Sequence, residues 1–386
     1  MIAGAVDVLR RNPFLAYALM RRFAPVFHDT RHGLWMLFDY DSVKRALHDP
    51  ETFSSRAAPP GDAPLDWLIF QDPPLHTKLR GIIMRTFTPR AIAGLEPRID
   101  ALCTELLDAA LEARGMDVAA DFAIPLPLLV IAEMLGVPAG DREPLKRWSA
   151  AILGLSGTIA GGETAARAVT AFRNAKTDMR PYILRWLEER RARPKDDLLT
   201  RLVEAEVDGE RLSEEDILGF FQLLLLAGSE TTTNLIGSAV LTLAEHPGEL
   251  ARLRANPGLL PPAIEEVLRF RPPVQAVFRQ AARDVEVRGK TIPAGSLILL
   301  MIGAANRDPR QFPRPNRFTI GREPNAHIAF GHGIHFCIGA ALARVEARVA
   351  LTRFLERVPR FTVAGKWEPQ PGFHVHGPTR LPIRLT

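Results

Sequence analysis

The segment Phe330-Gly331-His332-Gly333-Ile334-His335-Phe336-Cys337-Ile338-Gly339 sets one cysteine at the end of a glycine-flexed loop, directly before a stretch with helical spacing. The first turn of a helix offers N–H groups without helical partners and the positive end of the helix dipole. Both favour a thiolate over a thiol. One thiolate is too few ligands for a structural zinc site, which takes four, but it suffices as the single axial ligand of a haem iron. From the residues alone, a buried loop cysteine with no chemistry stands beside that reading.

A second unusual stretch lies inside a long apolar segment. Ser213, followed by acids, reads as a helix N-cap, and Pro247 lies just past the far end. The run Ser213–Ala244 makes a helix about 45 Å long, enough to cross a domain. Apolar flanks, Phe220 to Leu226 and Leu235 to Leu241, enclose Ala227-Gly228-Ser229-Glu230-Thr231-Thr232-Thr233-Asn234. Gly costs about 1 kcal/mol inside a helix, and burying a neutral polar group without a partner costs about 1–3 kcal/mol. Rules broken where a helix is most buried mark a site; a polar network between helices explains the same residues. Leu223, Leu224, Ala227, Gly228 and Thr231 share one face by helical spacing. Gly228 removes bulk where a planar cofactor approaches, and the Thr231 hydroxyl can turn back to the Ala227 carbonyl and open the ladder to a water.

His76 and Arg80, four apart after Asp72-Pro73-Pro74, present two donors on one helical face, a geometry that suits a carboxylate. Two exposed basic side chains are the plainer reading. Glu266 and Arg269 stand three apart, by default a surface pair worth a few tenths of a kcal/mol.

Taken together, Phe-x-x-Gly-x-x-x-Cys-x-Gly at 330–339, Ala-Gly-x-Glu-Thr-Thr at 227–232, Glu-x-x-Arg at 266–269 and Asn306-Arg307-Asp308-Pro309 resemble the cytochrome P450 family, and the resemblance extends over the whole chain. It implies haem b with Cys337 as its thiolate ligand, framed by Phe330, Gly331 and Gly339, with Ala227 and Gly228 against the porphyrin. It implies that Thr231 hydrogen-bonds bound dioxygen while Glu230 relays protons, and that His76, Arg80, Arg279 and His335 hold the haem carboxylates. It also implies a structural triad of Glu266, Arg269 and Arg317, the last in Pro315-Asn316-Arg317-Phe318, where Asn316 replaces the family's usual acid. The suggested substrate pocket is Trp67, Leu68 and Phe70; Leu153 and Leu155; Leu223 and Leu224; Val274 and Val277; and Phe373 or His374. Each of these also fits an ordinary core position.

The elements that must carry these residues are mainly helical. Apolar spacing predicts helices over Pro74–Thr86, Pro89–Arg114, Leu126–Leu135, Asp141–Leu155, Ala165–Arg191, Ser213–Ala244 and Ile338–Arg357. Alternation predicts strands at Leu34–Asp39, Val277–Gln280, Val285–Val287 and Ser296–Met301, with a turn at Arg288-Gly289-Lys290. The expected fold is mainly α with small β-sheets, one domain over residues 1–386 with a long central helix over the haem.

The chain has 386 residues, 47% of them hydrophobic, a net charge of +5 and two cysteines, Cys103 and Cys337. Two distant cysteines suggest no disulfide framework and a reducing compartment. The first twenty residues read as neither a signal peptide nor a membrane span, so the expectation is a soluble, cytoplasmic monomer. Acids intermix with the arginines, and no basic block with aromatics points to nucleic acid. No Gly-x-Gly-x-x-Gly or cluster-forming cysteine set is present, so electrons must come from a separate ferredoxin or flavodoxin. Lys78, Arg85, Arg344 and Arg348 are the expected docking cations. The chemistry expected is insertion of one oxygen atom from O2 into an apolar small molecule. Three rivals remain: a peroxide-driven or isomerising member of the family, a non-catalytic haem sensor or carrier, and a non-haem metal site built from His332, His335 and Cys337.

Overall fold

The computed structural model describes residues 8–56, 67–85, 87–112, 115–154, 162–207 and 209–385. In chain order its helices are α1 (Phe14–Phe23), α2 (Tyr40–His48), α3 (Leu75–Met84), α4 (Pro89–Glu112), α5 (Pro125–Leu135), α6 (Arg142–Leu153), α7 (Gly162–Ala192), α8 (Leu198–Glu204), α9 (Glu214–Glu245), α10 (Pro247–Ala255), α11 (Leu260–Phe270), α12 (Ile302–Ala305) and α13 (Ala340–Arg357). Its strands are β1 (Val26–Asp29), β2 (Leu34–Leu37), β3 (Phe53–Ser54), β4 (Met116–Asp117), β5 (Glu206–Val207), β6 (Glu210–Arg211), β7 (Val277–Ala281), β8 (Val285–Val287), β9 (Lys290–Ile292), β10 (Leu297–Leu300), β11 (Phe361–Val363), β12 (Glu368–Pro369), β13 (Pro378–Arg380) and β14 (Pro382–Leu385). The protein is mostly helical with small sheets. Helix spacing found the long helices because each buries one continuous stripe; the two-residue strands carry too little alternation to be read.

Two compact units share this chain, Met1–Ala57 with Cys103–Ala123 and Thr231–Thr386, and Ala58–Leu102 with Ile124–Glu230. The first holds a five-stranded sheet in the order β1-β2-β10-β7-β3. All its neighbours run antiparallel except β2 and β10, which are parallel and meet through crossovers from both ends of the unit. Leu37, Val43, Phe53, Ile298, Leu300 and Phe312 pack beneath it as an apolar core. Arg288 (φ 49°) and Gly289 (φ 74°) form the left-handed turn that joins β8 to β9, as the Arg-Gly-Lys sequence predicts. The second unit is held by aromatic edges: Trp148 meets Tyr182 and Trp186, and Trp186 meets Phe221, at centroid separations of 5.2–6.4 Å.

α9 begins as the sequence predicts. Ser213 Oγ accepts the Asp216 N–H at 3.1 Å while Asp216 accepts the Ser213 N–H at 2.9 Å, a reciprocal cap. Among the described residues, Val118–Leu135 is the one stretch long and apolar enough to cross a membrane, and 61% of it is buried inside the protein.

Candidate active site

The cysteine loop is shaped by glycine. Gly331 (φ 75°) and Gly333 (φ 73°) are both left-handed, and a Cβ on Gly333 would lie 2.6 Å from the Leu47 carbonyl oxygen. Only glycine lets the loop pass α2 there. The Phe336 N–H donates to Gly333 at 3.0 Å and the Cys337 N–H to Phe330 at 2.9 Å, so both ends of the loop are pinned. Gly339 is the cap of α13. Cys337 is therefore held two residues before the cap of α13 with its side chain exposed, whereas Cys103 is buried. That exposure removes the buried-cysteine reading of residue 337.

The non-haem metal site does not form. Among the described residues no three His, Cys, Asp or Glu side chains gather around a common point. His335 shares a hydrogen bond of 2.9 Å with Ser55 Oγ, and His332 packs against His48 with ring centres 5.4 Å apart. Arg279 is buried on β7, opposite Ile298, and its Nη1 donates to the Phe278 carbonyl at 2.7 Å.

α9 is mostly buried, yet Ala227 is exposed and Leu224, Gly228 and Thr231 are half-buried. These four repeat at i, i+3, i+4 and i+7, so one stripe of the helix stays open while Leu225 and Ser229 beside it are covered. Leu223, expected on the same face, is buried instead. Glu230 is 9% exposed, and nothing among the described residues hydrogen-bonds or pairs with its carboxyl. Burial pushes its pKa up to about 7.

Three other polar residues of this stretch have partners. Ser229 Oγ donates to the Leu225 carbonyl and lies 3.4 Å from Ser149 Oγ, Thr233 Oγ1 donates to the Ala123 carbonyl at 2.9 Å, and Asn234 Oδ1 accepts from Gln370 at 3.0 Å. The interhelical network is thus real on either side, and Glu230 is left outside it. A Cβ on Gly228 would lie 2.9 Å from Ile131 Cδ1 of α5, so the glycine also lets a neighbouring helix approach.

In the second unit, His76 is 1% exposed and Arg80 half-buried, one turn apart on α3 as the spacing requires. Trp67 is a core residue: its Nε1 donates to Gln222 at 3.2 Å, and its ring meets Phe70 and Phe172. Leu68 is also buried, Phe70 and Leu153 are half-buried, and Leu155 lies outside the described residues. In the first unit Val274 and Val277 are half-buried against the sheet core, and Phe373 is 44% exposed. His374 has a buried Nδ1 with no partner among the described residues, and burial pushes its pKa down, so the ring is held neutral.

The triad assignment changes at one member. Glu266 and Arg269 are both fully buried and joined by two hydrogen bonds of 2.8 Å. The second arginine on Glu266 is Arg322, whose Nε lies 3.1 Å from both carboxylate oxygens. Arg317 is exposed and contributes only its backbone carbonyl, which accepts from Arg269 and Arg322. Gly321 (φ 76°) reverses the chain just before Arg322 and turns it inward. Three of the four expected docking cations are engaged: Lys78 pairs with Glu210, Arg85 donates to the Glu206 carbonyl at 3.1 Å, and Arg344 is forked onto Glu265.

Residues 163–371 match the family model described as cytochrome P450. A Bacillus subtilis protein named as the putative cytochrome P450 YjiB is 42% identical, over 90% of this chain and 88% of its own length. The cyclomarin C epoxidase CymV of Salinispora arenicola is 41% identical, over 90% of this chain and 89% of its own. The crystal structure of CYP109E1 from Bacillus megaterium in complex with testosterone superposes with a TM-score of 0.89 at 38% identity, covering 97% of this chain and 99% of that one.

Proposed function

The chain belongs to the cytochrome P450 family, and on that premise we propose that it is a monooxygenase carrying haem b on the Cys337 thiolate, as one domain over residues 1–386. It puts one oxygen atom from O2 into a C–H or C=C bond of an apolar small molecule. An exposed thiol in a glycine-shaped loop, aimed at a helix start, fits a single axial ligand, and no competing metal cluster surrounds it among the described residues. Bound there, the haem supplies oxygen activation driven by thiolate electron donation. His76, Arg80, Arg279 and His335 are the donors proposed for its carboxylates.

The observation that carries the reading is Glu230. A buried carboxyl with no partner among the described residues and a pKa of about 7, adjacent to Thr231 on the open stripe of α9, exchanges protons at working pH. Glu230 takes a proton from solvent, and the Thr231 hydroxyl passes it on toward the oxygen-binding side. Ala227 and Leu224 line the same stripe and offer apolar contact. By family resemblance, Val274, Val277 and Phe373 are proposed as further substrate contacts, with the neutral His374 ring as a polar anchor. Testosterone bound to a structural neighbour supports a bulky apolar substrate, and an epoxidase among the relatives supports attack on C=C as well as C–H.

Electrons come from a separate ferredoxin or flavodoxin in a cytoplasmic setting. The test is oxidation of a bound ligand with reductant, redox proteins and O2, on protein whose reduced carbonyl complex shows the red-shifted band of thiolate ligation. Protein that takes up no haem, or whose iron is held by imidazole alone, sinks the reading.

A further inference from the structure

Arg344 lies seven residues past Cys337, near the start of α13. Helical side chains lean toward the N-terminus, and this one does so. Its Nη1 lies 3.4 Å from the Ala340 carbonyl, and its guanidinium carbon stands 4.5 Å from the centre of the Phe330 ring. Phe330 is the residue whose carbonyl accepts the Cys337 N–H. The cation therefore touches the anchor of the cysteine on one side and the first helical turn on the other.

Glu265 keeps it there. Nε and Nη2 of Arg344 donate to the two carboxylate oxygens at 2.7 and 2.8 Å, and His327 Nε2 meets the same carboxylate at 3.0 Å. A planar fork of this kind fixes direction as well as charge. Burial pushes the Glu265 carboxyl up, but Arg344 and His327 outweigh it and hold the pKa at about 2. Attraction to Cys337 adds to the pull of Glu265 in keeping Arg344 charged.

We propose that Arg344 is a positioning residue for electron transfer: a fixed cation beside the cysteine loop that raises the reduction potential of the site. The one-electron-reduced site carries one more negative charge than the oxidised site, and a nearby positive charge favours it. Glu265 aims that charge and partly cancels it. The inference rests on Cys337 holding the haem.

The experiment is a spectroelectrochemical titration of haem-loaded wild type, Arg344→Gln and Glu265→Gln at one pH and salt concentration. Arg344→Gln lowers the midpoint potential, weakening reduction about threefold to tenfold; tenfold corresponds to about 59 mV for one electron. Glu265→Gln leaves the guanidinium on Phe330 and Ala340 with less counter-charge, so it raises the potential. Shifts of opposite sign are the expected result, because a purely structural role moves both variants the same way. Equal signs or unmoved potentials overturn the proposal. If Arg344→Gln does not hold haem, the sign in Glu265→Gln decides. Wild type without the thiolate carbonyl band defeats the cofactor assignment; a normal band with unmoved potentials defeats only the role of Arg344.

Discussion

Arg322 Nε lies 3.1 Å from each oxygen of Glu266, and that pair, with Arg269 on the same carboxylate, fastens the segment after Phe318 to α11. The Thr319 N–H donates to Glu266 at 3.1 Å as well, so the buried charge is fully satisfied. Removing one donor strands part of a buried carboxylate.

Arg322→Ala is therefore expected to cost about 1.5–3 kcal/mol of stability, and Arg317→Ala to stay within about 0.5 kcal/mol. Denaturant unfolding of the two variants checks this; equal losses would restore Arg317 to the triad.

Gly333→Ala should fail where Gly331→Ala survives. Both adopt positive φ, at a cost of about 1–2 kcal/mol for a residue with a side chain. Only Gly333 adds a Cβ against a backbone oxygen, whereas the nearest atom to a Cβ on Gly331 is 3.6 Å away. Thermal melting and haem retention should rank wild type, then Gly331→Ala, then Gly333→Ala.

Glu230 predicts a pH effect on stability. Its folded pKa of about 7 lies above the ordinary 4.5, so the native state holds a proton that the unfolded chain has already released. Stability is lost as pH rises from about 4.5 through 7, by about 3 kcal/mol in all. Glu230→Gln escapes this loss: it matches wild type near pH 4 and exceeds it at pH 8, while its turnover falls. Urea midpoints at the two pH values decide, and an equal gap at both would mean that the carboxyl is not buried unpaired.

Cys337→Ala is expected to abolish the thiolate carbonyl band, and Cys103→Ala to keep it, since Cys103 is 0% exposed. Thr231→Ala should keep the band and divert reducing equivalents to peroxide. Stoichiometry of product against reductant measures that, and full coupling would remove the proton role from Thr231.

Much of this was legible along the chain because the physics is local. The cysteine before a helix start, the Ser213 cap, the four-residue step from His76 to Arg80 and the apolar stripes of the long helices depend only on spacing and backbone chemistry. Mainly helical architecture and family membership follow from such signals. Tertiary structure decided the rest, since it depends on which distant groups arrive. The family resemblance points to Arg317 as the further partner of Glu266, but the reversal at Gly321 brings Arg322 to that carboxylate instead. The approach of Ile131 to Gly228 is carried by another helix and leaves no mark in the spacing around the glycine. Thr233 Oγ1 and Asn234 Oδ1 have partners while Glu230 has none among the described residues, and no spacing rule distinguishes them. A side chain's chemistry is written in its type, but its charge state and its role are set by what folding brings beside it and by how much water folding takes away.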